Sequence, residues 1–177
     1  MRLTPATSAL CVVDIQERLL PTLPHGNTVV SESCRLVDAA RLFGLPVLAT
    51  EQYPKGLGAT VEPLAGRLAG IAEKLSFSCC GSAAFTQQLE EVVETAVLCG
   101  LETHVCIAQT ALDLLAEGIG VCIAVDAVAS RRQLDHEIAL RRLESAGVIL
   151  STTEAILFEW CRSADHPAFR EMRNLLA

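Results

Sequence analysis

Five short apolar runs recur along the chain, and more polar segments separate them. They are ALCVV at 9–13, PVLAT at 46–50, AVLCG at 96–100, VCIAV at 121–125 and GVIL at 147–150. Continuous apolar runs of this length are typical of strands buried on both faces, as in a parallel sheet covered by helices. The pattern therefore predicts a buried, mainly parallel sheet.

Helical patterns occupy the stretches between these runs. Three of them span 28–43, 106–117 and 134–146, and glycine follows each one, at Gly44, Gly118 and Gly147. Glycine commonly ends helices because it adopts the left-handed conformation at little cost. Strand, helix and glycine stop repeat in the order βαβ, which predicts right-handed crossovers and a doubly wound α/β fold.

Two stretches interrupt this alternation. Residues 51–70 carry four glycines and two prolines, and we expect a long loop with a short helix there. Loops of that length in compact domains are often functional. The tail, 153–177, is expected to be helical in two pieces divided near 165–167. The total of 177 residues suits a single domain, 1–177, with a sizeable core.

Composition and charge narrow the class of protein. Apolar residues make up 51% of the chain, and the formal net charge is −7. No run of Lys and Arg suggests nucleic-acid binding, since Arg131, Arg132, Arg141 and Arg142 alternate with acidic residues as on a solvated helix face. No apolar stretch is long enough for a membrane span, and the amino terminus lacks a signal-peptide profile. We therefore expect a cytoplasmic protein.

The eight cysteines do not indicate a disulfide framework, because no export signal accompanies them. Cys11, Cys99 and Cys122 lie inside apolar runs, where a thiol behaves as a small hydrophobe. The chain has no pair of CxxC motifs, so we expect no structural zinc site. Seven of the eight are expected to be packing residues, and Cys106 is the exception.

Three chemically distinctive residues stand near the carboxyl ends of strands. Asp14 ends SALCVVD, Lys74 lies in IAEKLSF, and Cys106 follows the run TAVLCGL through ETHVC. In an open parallel sheet, residues at these ends meet in one crevice, where ligands bind. An acid, a cation and a thiol in one crevice can form an activated cysteine nucleophile.

Each of the three also has an ordinary structural interpretation. Thr103 is a suitable N-cap for a helix from His104, which would put Cys106 in the first turn, where the helix dipole lowers a thiol pKa. Alternatively, Cys106 is a packing residue of an Ala-rich helix. Asp14 is either a proton acceptor or a turn residue. Lys74 is one of two lysines in a chain that has twelve arginines. It is either a charge partner of Asp14 and Cys106 or a surface residue.

The strings around these residues resemble a known family. VVDIQ, EKLSFS and GLETHVC are similar to the three motifs of the isochorismatase-like cysteine hydrolase superfamily, in the same order. GLETHVCIAQTALDLLAEG is the most specific part, and EQYPKGLGATVEPL resembles the branch called isochorismatase domain-containing proteins. The resemblance covers about residues 8–161. It implies a Rossmann-like, three-layer α/β/α sandwich and a catalytic triad of Asp14, Lys74 and Cys106.

The same resemblance implies an oxyanion hole beside the thiol. It implies a non-proline cis peptide between Leu101 and Glu102, which turns the Glu102 N–H toward Cys106. The amides of Glu102 and Cys106 would then hold the oxyanion of a tetrahedral intermediate.

The chain departs from the metal-dependent members of the superfamily. Nicotinamidases bind a metal through an Asp-x-His pair after the second strand, whereas this chain reads TEQYP at 50–54 and lacks the histidine. We therefore expect no metal and no other cofactor. Glu51 is expected to be a turn or salt-bridge residue, with cation binding as the less favoured alternative.

The retained cysteine bears on the reaction type. Some isochorismatases lack it, because vinyl-ether hydrolysis requires a general acid and no thiol, so Cys106 favours attack on a carbonyl. Gln16, Gln52 and Tyr53 are expected to line the pocket and bind a small polar substrate. His104 is expected either at the pocket rim or in solvent.

The leading prediction is a cofactor-independent cysteine hydrolase of a small amide or related carbonyl compound. One alternative is isochorismatase-type vinyl-ether hydrolysis with Asp14 as the acid. Another is a catalytically silent oligomeric or thiol-regulatory protein that uses the vicinal pair Cys79 and Cys80. In each case the partners expected are a small molecule and other copies of the chain in a homo-oligomer, without nucleic acid or membrane.

Overall fold

A computed structural model describes residues 2–89 and 93–177. Within them, six parallel strands form one sheet in the order β3-β2-β1-β4-β5-β6. The strands are β1 Ser8–Val13, β2 Val47–Gln52, β3 Ala72–Lys74, β4 Thr95–Leu101, β5 Gly120–Ala129 and β6 Ile149–Ser151. The winding direction reverses between β1 and β4. The sheet is therefore doubly wound, with its ligand crevice expected at the carboxyl ends of these two strands.

Helices cover both faces of the sheet. They are α1 Gly26–Phe43, α2 Pro54–Leu57, α3 Ala83–Thr86, α4 Ala108–Ala116, α5 Gln133–Ser145, α6 Thr153–Cys161 and α7 Phe169–Leu175. One core cluster joins α1, α6 and α7 to the sheet, and a second joins α3, α4 and α5 to its opposite face. The three-layer α/β/α sandwich is thus confirmed. None of the helices in the described part is both long and apolar enough to cross a bilayer.

Strand β1 shows why its sequence forms a central strand. All six of its residues are buried, with Leu10 and Val12 in one core cluster and Ala9, Cys11 and Val13 in the other. Alternating side chains point to opposite faces of a strand, so a strand covered on both sides must be apolar throughout. The apolar run at 9–13 is the sequence signature of this position.

Gly100 allows β1 and β4 to meet closely just before the crevice. Its φ is +123°, and a Cβ atom at this position would overlap the carbonyl oxygen of Val13. Val13 and Gly100 are register partners, so the residues that follow them emerge side by side. Glycine is required here because any side chain would separate the two strands.

The predicted elements are largely confirmed, but strand β3 and the four-residue helix α3 were not predicted. All five apolar runs form strands, and the tail forms two helices, α6 and α7, with 162–168 between them. The expected loop at 51–70 contains α2 and a short 3-10 helix, Ala65–Arg67. Strand β3 is not among the predicted runs. Its three residues include Glu73, whose side chain is exposed, so no apolar run marks it.

Candidate active site

Asp14 follows β1 directly and is completely buried. Its φ of 53° is left-handed, an unusual conformation for a residue with a side chain, found often at functional sites. One carboxylate oxygen, Oδ1, accepts a hydrogen bond from Thr50 Oγ1 at 2.8 Å. The other, Oδ2, accepts from Lys74 Nζ at 2.6 Å. The carboxylate is therefore fixed by two neighbouring strand ends, β2 and β3.

Lys74 ends β3, and its side chain has no exposed surface. Besides Asp14, the ammonium group contacts Gln52 Oε1 at 2.8 Å, the Phe77 carbonyl at 3.0 Å and the Ser76 carbonyl at 3.3 Å. An ammonium group has three donors, so these acceptors satisfy all of them. Lys74 thus neutralises the buried charge of Asp14 and holds the segment after β3 against the site.

Cys106 lies in a π-helical turn, Thr103–Ile107, which leads from β4 into α4. The Glu102 carbonyl accepts hydrogen bonds from the amides of Val105 at 3.0 Å and Ile107 at 3.2 Å. Single π-helical turns are rare and occur frequently at functional sites. Only 6% of Cys106 is exposed, so its thiol is almost excluded from water.

The environment of Cys106 raises its pKa to about 12. Burial is the largest cause, and the negative charge of Asp14 is the next. Asp14 also favours the protonated thiol by accepting its hydrogen, whereas the positive charge of Lys74 acts in the opposite direction. The expectation of a lowered pKa was wrong, because burial and the carboxylate outweigh the helix terminus. The free protein therefore holds a neutral thiol beside a proton acceptor.

The helix-capping prediction for Thr103 was also wrong. Thr103 lies inside the π-helical turn, and the residue in the N-cap position is Glu102, without a side-chain cap. The Thr103 hydroxyl lies 2.9 Å from His136 Nδ1 of α5. This contact therefore links the turn that carries Cys106 to α5.

The peptide bond between Leu101 and Glu102 is cis, as the resemblance implied. Among the described residues, the Glu102 amide donates a hydrogen bond to none. Its carboxylate, by contrast, is bound by the backbone amide and the guanidinium of Arg131. An amide without a protein acceptor at this position is available to a ligand.

A sequence model of the Isochorismatase domain matches residues 8–155. The chain belongs to the isochorismatase family. All the residues described above lie within the matched range, including Asp14, Lys74 and Cys106. The match therefore includes the whole candidate site.

Several relatives in this isochorismatase family are similar over nearly the whole chain. Isochorismatase domain-containing protein 2 of Danio rerio is 41% identical over 182 residues, which cover 99% of this chain and 90% of that protein. Isochorismatase domain-containing protein 1 of Danio rerio is 41% identical over 180 residues and 98% of this chain. This chain spans only 62% of the length of that second protein.

One solved structure is particularly similar to this isochorismatase-family chain. The MAR1 ribonuclease from Caenorhabditis elegans is 41% identical, with a TM-score of 0.95, and the match covers 99% of this chain and 92% of that one. The arrangement of strands and helices is therefore shared with an experimentally determined fold.

The three residues expected to bind substrate differ in their surroundings. Gln16 is fully buried, and its amide group bonds to the Gln52 backbone and to the Gly58 carbonyl, at 2.7 to 3.1 Å. Gln52 accepts from Lys74 and donates to the Leu75 carbonyl at 2.8 Å. Both side chains therefore brace the loop around the triad, and their contact with substrate stays a prediction.

Tyr53 lies at the surface and is half exposed. It lines a cavity of about 330 Å³ together with Pro54, Lys55, Glu73 and the Lys74–Leu75 segment. The cavity adjoins Lys74, so a substrate contact for Tyr53 remains a reasonable prediction. Lys55, the other lysine of the chain, is exposed.

Glu51 fastens the loop after β2. Its Oε1 atom accepts hydrogen bonds from the Thr60 amide at 2.6 Å and the Thr60 hydroxyl at 2.7 Å. This is the turn role expected for it. Across 2–89 and 93–177, no group of three or more His, Cys, Asp or Glu residues is arranged to hold a metal ion.

Sequence reasoning did not assign Thr50 or Cys79 to the site. The Thr50 hydroxyl, which donates to Asp14, also lies 3.5 Å from Cys79 Sγ. The Cys79 amide donates to Thr110 Oγ1 at 2.9 Å, and burial, with the charge of Asp14 adding to it, raises the pKa of its thiol to about 11. Cys79 is thus a buried packing thiol next to the triad, and the only signal in the sequence was its position shortly after Lys74.

His104 and Cys80 are two further residues that the sequence singled out. His104 Nδ1 is 3.0 Å from Ser130 Oγ, and Nε2 is 4.0 Å from an Asp135 carboxylate oxygen, so the ring is partly covered and not free in solvent. Cys80 is partly buried, and burial raises its pKa. Neither residue contacts the triad through a hydrogen bond in the described part of the chain.

Proposed function

We propose that this protein is a cysteine hydrolase that cleaves a small amide or related carbonyl compound through a thioester. The carrying observation is the buried carboxylate of Asp14, which pairs with Lys74 and, together with burial, raises the pKa of the Cys106 thiol. A thiol and a proton acceptor side by side, away from water, are the parts that nucleophilic catalysis requires.

In the first step Cys106 attacks the substrate carbonyl carbon while its proton passes to Asp14. Because burial and the charge of Asp14 raise the pKa of Cys106, the resting thiol is protonated and must give its proton to Asp14 during the reaction. The carbonyl oxygen gains negative charge and accepts hydrogen bonds from the Glu102 and Cys106 amides. The proton on Asp14 then moves to the departing amine, and a thioester remains on Cys106.

In the second step water attacks the thioester. Asp14, again a carboxylate, removes a proton from the water, and the Cys106 sulfur leaves and recovers that proton. Lys74 remains the counter-ion in both steps, because its contacts with Gln52 Oε1 and the Phe77 carbonyl hold it in place. No cofactor enters this scheme.

The proposal is tested by removing the sulfur atom of Cys106. Wild type, Cys106→Ala and the control Cys80→Ala are assayed against small amides, carbamoyl compounds and isochorismate. We expect Cys106→Ala to lose at least about 10³-fold in turnover while Cys80→Ala retains it. Turnover by Cys106→Ala at the wild-type rate would refute the covalent mechanism. That result would instead favour vinyl-ether hydrolysis with Asp14 as the acid.

RNA belongs in the same screen, because one relative is named a ribonuclease. We do not expect RNA cleavage by this chain. Its formal net charge is −7, whereas binding a phosphate backbone depends on clustered Lys and Arg. Degradation of RNA that disappears in Cys106→Ala would overturn this expectation.

A cytoplasmic location and a homo-oligomeric state are also part of the proposal. All eight cysteines are described and all are free thiols, which suits a reducing compartment. Leu134 and Ile138, one turn apart on α5, are both at least half exposed, as is typical of a surface that another subunit covers. Light scattering after size-exclusion chromatography tests the oligomeric state.

A further inference from the structure

The carboxylate of Glu102 is the starting point. Glu102 is almost completely buried, at 6% exposed. A buried carboxylate must be paired or hydrogen-bonded, since removing its charge from water is costly. Here Oε2 accepts from the Arg131 backbone amide at 2.9 Å, and the Arg131 Nε atom lies 3.1 Å from both carboxylate oxygens. One residue, Arg131, therefore supplies both the charge and the backbone donor.

The contact between Glu102 and Arg131 lies where two paired strands end. Glu102 follows β4 and Arg131 follows β5 by two residues, and the two strands are paired up to Leu101 and Ala129. The side-chain bonds thus continue the contact between the strands beyond the last ladder pair. These bonds hold Glu102, the residue whose backbone amide has no protein acceptor in the described part of the chain.

Arg131 contributes the exposed half of this contact. Its side chain is 58% exposed and its guanidinium faces the Glu102 carboxylate. The sequence had suggested a solvated helix face for it, as for its neighbour Arg132, but the buried partner makes Arg131 different. An exposed arginine that reaches back to a buried carboxylate holds that carboxylate in place through charge-assisted hydrogen bonds.

We infer that Arg131 is a positioning residue for the oxyanion hole, holding Glu102 so that its amide points at the developing oxyanion. This inference rests on the proposed cysteine hydrolase function. An oxyanion-hole donor contributes only if it is preorganised, and losing one costs about 10²- to 10³-fold in rate. Loosening the donor costs less than deleting it, so we expect a loss of about tenfold.

The test compares two reactions of the same thiol. Acylation of Cys106 by p-nitrophenyl acetate forms an oxyanion and is followed by release of nitrophenolate. Alkylation of Cys106 by iodoacetamide displaces iodide at a saturated carbon and forms no oxyanion. A positioning role in the oxyanion hole therefore affects acylation alone, whereas a general disturbance of the site affects both.

The variants are Arg131→Ala, Arg131→Lys and the matched control Arg132→Ala. Arg132 is the adjacent arginine; its side chain is 74% exposed and forms an ion pair with the partly exposed Asp135, at 3.8 Å. We expect Arg131→Ala to acylate about tenfold more slowly with its alkylation rate within twofold of wild type, Arg131→Lys to recover part of the loss, and Arg132→Ala to match wild type. Thermal unfolding of each variant confirms that it is folded.

Two outcomes would overturn the inference. One is acylation by Arg131→Ala at the rate of Arg132→Ala, and the other is an equal fall of acylation and alkylation. Assaying Cys106→Ala in the same way distinguishes a failure of this inference from a failure of the proposed function. If Cys106→Ala releases nitrophenolate as fast as wild type, Cys106 is not the nucleophile and the proposed function fails first.

Discussion

Replacing Lys74 with methionine tests whether the buried ion pair organises the site. The substitution keeps the length and apolar volume of the side chain and removes its charge. It leaves the carboxylate of Asp14 fully buried, with the Thr50 hydroxyl and the weakly donating Cys106 thiol as its remaining hydrogen-bond donors. Gln52 Oε1 and the Phe77 carbonyl also lose their donor.

The magnitude follows from the burial of both partners. Neither side chain of the pair has exposed surface, so solvent screens neither charge. Removing one partner of such a pair costs about 3–5 kcal/mol, because the other charge stays buried and uncompensated. With a urea m value of about 2 kcal/mol/M, the midpoint falls by about 2 M. The matched control is Lys55→Met, an exposed lysine, expected to change stability by no more than about 0.5 kcal/mol.

The assay is equilibrium unfolding in urea, with a double variant to isolate the pair. Asp14→Asn combined with Lys74→Met removes both charges, so we expect it to be more stable than Lys74→Met alone. The coupling energy should exceed about 1 kcal/mol, since residues in direct contact do not behave additively. Additive single effects, or a cost for Lys74→Met no larger than for Lys55→Met, would show that the pair does not organise the site.

Three further predictions address the thiol, the carboxylate and the crevice. In Asp14→Asn, iodoacetamide should alkylate Cys106 faster than in wild type at pH 8, because removing the adjacent negative charge lowers the thiol pKa. Hydrolysis should be lost in the same variant. Slower alkylation, measured by mass spectrometry, would contradict this prediction. Thr50→Val should reduce kcat about tenfold and lower the free energy of unfolding by about 1–3 kcal/mol, because the buried Asp14 Oδ1 loses its hydroxyl donor. Steady-state kinetics and urea unfolding check the two parts, and wild-type values of both would contradict the prediction. Gly100→Ala should cost more than about 3 kcal/mol or prevent folding, because its Cβ would overlap Val13; a calorimetric Tm near that of wild type would contradict it.

The sequence predicted the fold well, because strands buried on both faces must be apolar throughout. It missed β3 because that edge strand has only three residues and exposes Glu73, so no apolar run marks it. The three residues of the proposed triad could be named from strand ends and motifs. Its contacts could not, since Asp14 and Lys74 are 60 positions apart and only the folded sheet brings them together.

The errors at the site share one physical cause. A local pattern places Cys106 after a strand and near a helix start, which suggests a lowered pKa. The pKa is raised because Asp14, from a distant strand end, contributes a negative charge in a site that excludes water. Arg131 was misjudged in the same way, since its partner Glu102 lies 29 positions earlier in the sequence. Local sequence describes the backbone around a residue and not the charges that tertiary structure brings to it.

In the proposed mechanism, the raised pKa of Cys106 and the charge of Lys74 together account for a site that holds a neutral thiol before reaction and then uses it as the nucleophile. Before reaction the negative charge lies on Asp14, 2.6 Å from the ammonium group, and the thiol is neutral. When the proton moves to Asp14, the negative charge moves to the sulfur, whose thiolate form Lys74 also favours. The total charge of the buried group is unchanged, so no additional charge has to be desolvated. The reaction then depends on a substrate that accepts the sulfur electrons, which is where the Glu102 amide contributes.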